Sequence, residues 1–108
     1  MIDQGVSVAL ATDYNPGSCN TLSMKTIMEC AARIYRMKTY EIINCVTINA
    51  AFALEMSDSI GSIEEGKNAD LVIHDCEDPR VLVDNFGTDL VDVVIKNGMI
   101  VVKNGILV

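Results

Sequence analysis

The residues best placed to do chemistry stand together in one short run, Asp13-Tyr14-Asn15-Pro16-Gly17-Ser18. A carboxylate such as Asp13 can ligate a metal ion or move a proton, and Gly17 with Ser18 can offer backbone N–H groups and a hydroxyl to an anion. Turn chemistry competes with both readings, because Asp and Asn form Asx turns and Pro16-Gly17 enforces a loop. Asn15 carries the same ambiguity. His74 is the single histidine; with no second ligand at metal-binding spacing, it reads as a structural or surface residue. Cys19, Cys30, Cys45 and Cys76 form no C-x-x-C pair and read as reduced structural thiols, a zinc site being the weaker alternative. Glu64-Glu65 and Asp75, Glu77 and Asp78 read as solvated loop charges. The methionines read as core fillers.

The elements that must position Asp13 follow from hydrophobic patterning. Val6 to Ala11 is a β-prone apolar run that stops at the polar loop, so a buried strand is expected there, with Asp13 just past its C-terminal end. Parallel α/β folds gather their ligands at that end. Met24, Ile27, Met28, Ala31 and Tyr35 recur at helical spacing, with Lys25, Glu29, Arg33 and Arg36 largely off the stripe, which predicts an amphipathic helix of about four turns. Thr39 is expected to N-cap a helix over Tyr40 to Cys45, and Thr47 another over Ile48 to Leu54. Beyond a linker flanked by Gly61 and Gly66, Leu71-Val72-Ile73 reads as a strand buried on both faces. Val91 to Lys96 and Met99 to Lys103 read as strands joined by a type I′ turn at Asn97-Gly98, with Asn104-Gly105 turning back the last three residues.

Composition narrows the function classes. The chain has 108 residues, half of them hydrophobic, and a formal net charge of -7 with only eight Lys plus Arg. That balance argues against binding a phosphate backbone. No apolar run approaches the ~18 residues of a membrane span, and the N-terminus lacks a signal-peptide pattern, so a cytoplasmic protein is expected. The length is well short of a (β/α)₈ barrel of roughly 250 residues. The chain divides near residue 60 into a strand-loop-helices half and a β-rich half. One strand followed by helices buries its edges only against something else, so a piece of a larger fold is expected. Such a piece, if it folds, should associate as a dimer or larger through its open strand edge and apolar helix face.

The run Ala9-Leu10-Ala11-Thr12-Asp13-Tyr14-Asn15-Pro16-Gly17-Ser18 resembles the end of barrel strand eight in imidazolonepropionases. Thr47-x-Asn49-Ala50-Ala51-x-Ala53-Leu54 and Gly61-Ser62-Ile63-Glu64-x-Gly66-Lys67-x-Ala69-Asp70-Leu71-Val72-Ile73 are similar to blocks of the wider amidohydrolase superfamily, which includes deaminases and dihydroorotase-like enzymes. Phe86-Gly87 and the ending Val94 to Val102 also resemble the family's tail, although Asn85 and Asp89 stand where it commonly has His and Asn. The resemblance implies an α/β fold: residues 1-60 as the last β/α unit of a (β/α)₈ barrel, and residues 61-108 as strands of the small β-sandwich domain. It implies a zinc or iron ion in the parent enzyme, held by an H-x-H pair, a further histidine and the aspartate matched by Asp13. It implies hydrolysis of 4-imidazolone-5-propanoate to N-formimino-L-glutamate, with Asp13 as metal ligand and proton carrier. Asn15 and Gly17 would contact the product and Ser18 the substrate. The resemblance also implies a homo-oligomer. Because only Asp13 of the expected ligand set is present, this chain is expected to hold no metal and to be inactive alone. The alternatives are the same region of another amidohydrolase, such as a deaminase or a dihydroorotase-like enzyme, and, from a different class, a non-catalytic β-rich assembly module.

Overall fold

Helix α1 spans Met24–Ile34, and Ser23 caps it: its hydroxyl accepts from the Thr26 N–H at 3.2 Å. That satisfies one of the N–H groups a helix start leaves unpaired. A computed structural model describes all 108 residues, Met1–Val108. The expected stripe is seated from Met24 to Ala31, but Tyr35 lies beyond the last helical residue and is 71 % exposed. Arg36, at φ +54°, has already turned the chain away.

Helix α2 covers Thr39–Val46 and α3 covers Ile48–Ala53. Thr47 holds the expected N-cap position of α3, but neither threonine makes a side-chain capping hydrogen bond. Lys38 holds the N-cap position of α2, where its N–H donates to the Glu41 carboxylate at 2.8 Å. Thr47 stands between α2 and α3, but its hydroxyl donates back to the Ile43 carbonyl at 2.6 Å instead of capping forward. Ala31, Ile42 and Val83 form the buried cluster, with Leu10, Met28, Ala32 and Met37 packed on it.

The run Val6 to Ala11 is extended but forms no strand. Strand pairing needs a neighbour, and none lies beside it; the segment is tied instead by Leu10 N–H to the Cys45 carbonyl at 3.0 Å and by the Asn49 amide to the Val8 carbonyl at 2.9 Å.

The β-rich half forms one antiparallel meander in the order β1-β2-β3-β4: β1 Leu71–His74, β2 Val91–Lys96, β3 Met99–Lys103 and β4 Ile106–Leu107. Both Asn-Gly pairs make two-residue turns with both residues at positive φ, 49° and 79° at Asn97-Gly98, 52° and 71° at Asn104-Gly105. Those signs define the type I′ turn whose twist suits a hairpin. The Asp70 carboxylate accepts from the Asn97 N–H at 2.8 Å and pairs with Lys96, which pins the first turn to the root of β1. Strand β1 is not buried on both faces. It pairs with β2 alone and is an edge, so Val72 and Ile73 stay half exposed.

One further element, α4 at Val81–Asp84, has no counterpart in the sequence reading. It is a single turn, too short to show a period, and side chains from α1 hold it. Lys25 Nζ donates to the Leu82 and Asn85 carbonyls at 3.0 and 2.9 Å, and Arg33 donates to Val83 and Asp84 carbonyls at 2.8 and 3.1 Å. Cations thus meet the carbonyls that a helix C-terminus leaves unpaired. Between them Glu29 is buried, paired with Lys25 at 2.5 Å and accepting the Gly87 N–H at 2.9 Å. Burial pushes the Glu29 carboxyl up, but the Lys25 and Gly87 hydrogen bonds and the charges of Lys25 and Arg33 outweigh it and hold it below the usual range. The row off the apolar stripe is therefore a clamp joining the two halves of the chain.

Candidate functional site

The polar loop that follows the extended segment is built around Asn15. Its Oδ1 accepts from the Gly17 and Ser18 N–H groups at 2.9 and 2.8 Å, while its Nδ2 donates to the Asp13 carbonyl at 2.6 Å and to the Ser18 hydroxyl at 3.2 Å. The Asn15 N–H donates to the Cys19 carbonyl at 2.7 Å and closes the loop. Five contacts from one residue, within a segment containing a proline, leave the backbone little freedom. The Asx-turn residue is thus Asn15, not Asp13.

Asp13 takes a positive φ of 47°, a conformation aspartate tolerates better than most residues. Its side chain is exposed, and no hydrogen bond or ion pair within the chain engages its carboxylate. The carboxylate is thus carried at the rim of a stiff loop with its lone pairs unspent. The Gly17 and Ser18 N–H groups are not open donors, because Asn15 occupies both.

No group of three or more His, Cys, Asp and Glu side chains lies close enough to hold a metal ion. Asp13 offers one oxygen ligand, so the donor set within this chain does not fit a catalytic metal, which takes about three protein ligands. His74 does not join Asp13. It lines a separate cleft between the helices and the sheet, at the irregularity where the β1–β2 register shifts. Its Nδ1 is buried without a hydrogen-bond partner. Burial lowers the His74 pKa, Asp89 opposes that and Lys25 adds to it, so the neutral ring is favoured. The four cysteines are unpaired with one another, and burial pushes the Cys45 thiol up against a hydrogen bond with Asn49. Asp78 pairs with Arg80 and Glu64 with Lys67, as loop charges do. No helix is long and apolar enough to cross a membrane.

An extended segment leading to a rim carboxylate, then helices, then a meander, is an arrangement with counterparts among known proteins. The amidohydrolase family model matches residues 1–106, and the chain belongs to that family. Within it, the chain is similar to imidazolonepropionases. It is 48 % identical over 105 residues to that of Alkaliphilus oremlandii and 49 % identical over 108 residues to that of Treponema denticola, covering 97 % and 100 % of this chain. Those alignments take in 25 % and 26 % of the relatives, so the chain spans about a quarter of their length. Among solved structures, a zinc-bound adenosine deaminase from Xanthomonas campestris matches 99 % of this chain with a TM-score of 0.82 at 25 % identity, using 28 % of its own chain. An amidohydrolase from Thermotoga maritima matches 95 % with a TM-score of 0.74 at 30 % identity, using 24 % of its own.

Proposed function

We propose that this chain is the C-terminal part of a metal-dependent hydrolase that opens the ring of 4-imidazolone-5-propanoate to N-formimino-L-glutamate. Residues 1-60 form the last β/α unit of its barrel and residues 61-108 strands of its β-sandwich. The reading is carried by one observation: Asn15 takes over the loop's internal hydrogen bonds and leaves Asp13 uncommitted at the rim. A turn-forming aspartate would spend its carboxylate on the turn. Identity of 48–49 % to imidazolonepropionases, against 25 % to the adenosine deaminase, favours this substrate over a deaminase's.

In the complete enzyme, histidines from the remainder of the barrel together with Asp13 would hold a zinc or iron ion, which when bound would supply a nucleophile near neutral pH by acidifying water. Asp13 would take up a proton from the attacking water and return it to the departing ring nitrogen. Ser18 presents its hydroxyl to the propanoate. Asn15 and Gly17 contact the formimino-glutamate product at the loop surface they build together. The enzyme is a cytoplasmic homo-oligomer.

The test is Asp13→Ala and Asp13→Asn in an enzyme made complete by joining this chain to the rest of the barrel. Asn15 Nδ2 bonds the Asp13 backbone carbonyl, which neither substitution removes, and Asp13→Asn also keeps a residue type that tolerates the φ of 47° better than Ala does. Loss of a ligand and proton carrier together should lower kcat by at least ~10³-fold, a size general acid–base groups reach on their own. Near-normal turnover by either variant would assign Asp13 to the loop alone.

A further inference from the structure

The tripeptide Lys-Asn-Gly occurs twice, as Lys96-Asn97-Gly98 between β2 and β3 and as Lys103-Asn104-Gly105 between β3 and β4. Both asparagines and both glycines are exposed and at positive φ, in the same type of turn. Each glycine N–H donates to a carbonyl outside its turn, Gly98 to Ala69 at 3.0 Å and Gly105 to Asp92 at 3.1 Å. Local sequence, solvent access and turn type are therefore shared, and only the surroundings differ. An asparagine followed by glycine is chemically labile, because with no Cβ on the next residue its backbone nitrogen can close on the side-chain amide carbon.

At Asn97 the surroundings hold the turn. The Asp70 carboxylate accepts the Asn97 N–H at 2.8 Å while pairing with Lys96, and that Lys96 hydrogen bond keeps the Asp70 carboxyl below its usual range and so ionised. The turn also joins strands matched through four residue pairs. At Asn104 nothing equivalent exists: its N–H has no acceptor and Lys103 makes no ion pair. Its turn leads into β4, which is matched through two pairs only and whose Ile106 and Leu107 are 68 % and 81 % exposed. Ring closure requires the asparagine to leave its turn conformation, so it proceeds from locally opened chain, and a short edge element opens most readily.

We propose that Asn104 is a self-modification site, an asparagine that converts to isoaspartate and aspartate, while Asn97 in the same tripeptide is protected by Asp70. The Gly105 nitrogen attacks Asn104 Cγ; the N–Cγ bond forms, the Cγ–Nδ2 bond breaks, and ammonia leaves with the proton that the glycine nitrogen gives up. Water then opens the cyclic imide. Attack at the former side-chain carbonyl yields aspartate, and attack at the main-chain carbonyl yields isoaspartate; no electrons are transferred, and water is the co-reactant. Aspartate tolerates positive φ and keeps the hairpin. Isoaspartate routes the main chain through Cβ and lengthens it by a methylene, which a two-residue type I′ turn does not absorb, so β4 is released and the edge of β3 is opened to other strands.

The test ages the pure chain at mildly alkaline pH and cleaves it after Lys96 and Lys103, which puts the two asparagines in separate peptides. Mass spectrometry reads the conversion of amide to acid, and an isoaspartate-specific methyltransferase marks the isomer. Asn104 should convert at least ~3-fold faster than Asn97, the suppression of opening that a retained hydrogen bond gives near the surface. In concentrated urea the two rates should converge, since the local sequence is the same. Asp70→Ala should bring Asn97 up to the Asn104 rate and leave Asn104 unchanged. Asp70→Asn keeps an acceptor without the charge and should give an intermediate Asn97 rate; it decides the matter if Asp70→Ala unfolds the chain. In the isoaspartate fraction the amides of the Val102–Leu107 and Lys103–Ile106 pairs should lose protection from exchange, while Asn104→Asp keeps it. Equal rates in the folded chain, a faster Asn97, a difference that persists in urea, or an Asn97 rate indifferent to Asp70 substitution would each overturn the proposal.

Discussion

Replacing Glu29 by alanine removes the centre of the clamp between α1 and α4. Glu29 is 2 % exposed, while its partner Lys25 is 22 % exposed, so the pair lies at the lip of the cleft, short of a deep interior. Breaking a fully buried pair costs about 3–5 kcal/mol and a surface pair about 0–1. The Gly87 N–H also loses its acceptor, but it is exposed and water can serve it. A cost of ~2–3 kcal/mol follows, and with a urea dependence of about 1–3 kcal/mol per molar the unfolding midpoint should fall by roughly 0.7–3 M. Glu29→Gln keeps an acceptor for Gly87 and should cost less. The pH dependence carries the sign. Glu29 has a lowered pKa in the folded chain, so its stabilisation is fully present above its ordinary value of 4.5 and is lost as pH falls through the folded value. The gap between the native chain and Glu29→Ala should therefore narrow below pH 4.5. Urea unfolding followed by circular dichroism at pH 7 and pH 3 measures both effects. A loss under 0.5 kcal/mol (order of magnitude of a neutral surface change), or one equally large at both pH values, would refute the clamp.

The chain alone should not hydrolyse imidazolone propanoate at any zinc or iron concentration, since it brings no metal-binding cluster; metal-dependent turnover by pure protein would show otherwise. Gly61→Ala should cost about 2–4 kcal/mol in the same unfolding assay, because φ is +92° and a Cβ would lie 2.6 Å from that of Ala51. Gly66→Ala, at φ +91° in open space, should cost only about 1 kcal/mol, so equal losses would contradict the close approach. In hydrogen exchange, the N–H groups of Ser7, Val8, Ala9 and Ala11 have no acceptor and should exchange fast, while those of β2, flanked by β1 and β3, should be slow. Protection of the first set in dilute solution would mean that another strand has paired there.

Features set by local chemistry were legible in the sequence. The two Asn-Gly turns were, because positive φ at two successive residues is a local demand that few residue pairs meet. Helix α1 was, through its stripe and because eleven residues display the period well. What failed depended on distant partners. Helix α4 is one turn held by Lys25 and Arg33 from fifty or more residues away, and no pattern within Val81–Asp84 announces that. The clamp left one signal in the sequence: Lys25, Glu29 and Arg33 recur every fourth residue with alternating sign, beside the apolar stripe. Within the loop, composition alone could not decide whether Asp13 or Asn15 makes the turn. Asn15 wins because an amide can accept from two N–H groups while donating to a carbonyl, and an ionised carboxylate cannot donate.

The extended segment before the loop shows how sequence and surroundings divide the work. Val8, Leu10 and Thr12 are half buried while Ala9, Ala11 and Asp13 are exposed, the period-two alternation of a strand. Leu10 reaches the Ala31–Ile42–Val83 cluster, so one face has found the helices it was patterned for. The other face has not, and neither edge has found a strand. An isolated strand gains no ladder hydrogen bonds, so its backbone stays extended for the sake of one packed face and two tethers, Leu10 to Cys45 and Asn49 to Val8. Asn49 is therefore as much a part of the site as the loop itself: it holds the backbone five residues before Asp13, and with Asn15 fixing the far side, the carboxylate is positioned from both directions without the neighbouring strands.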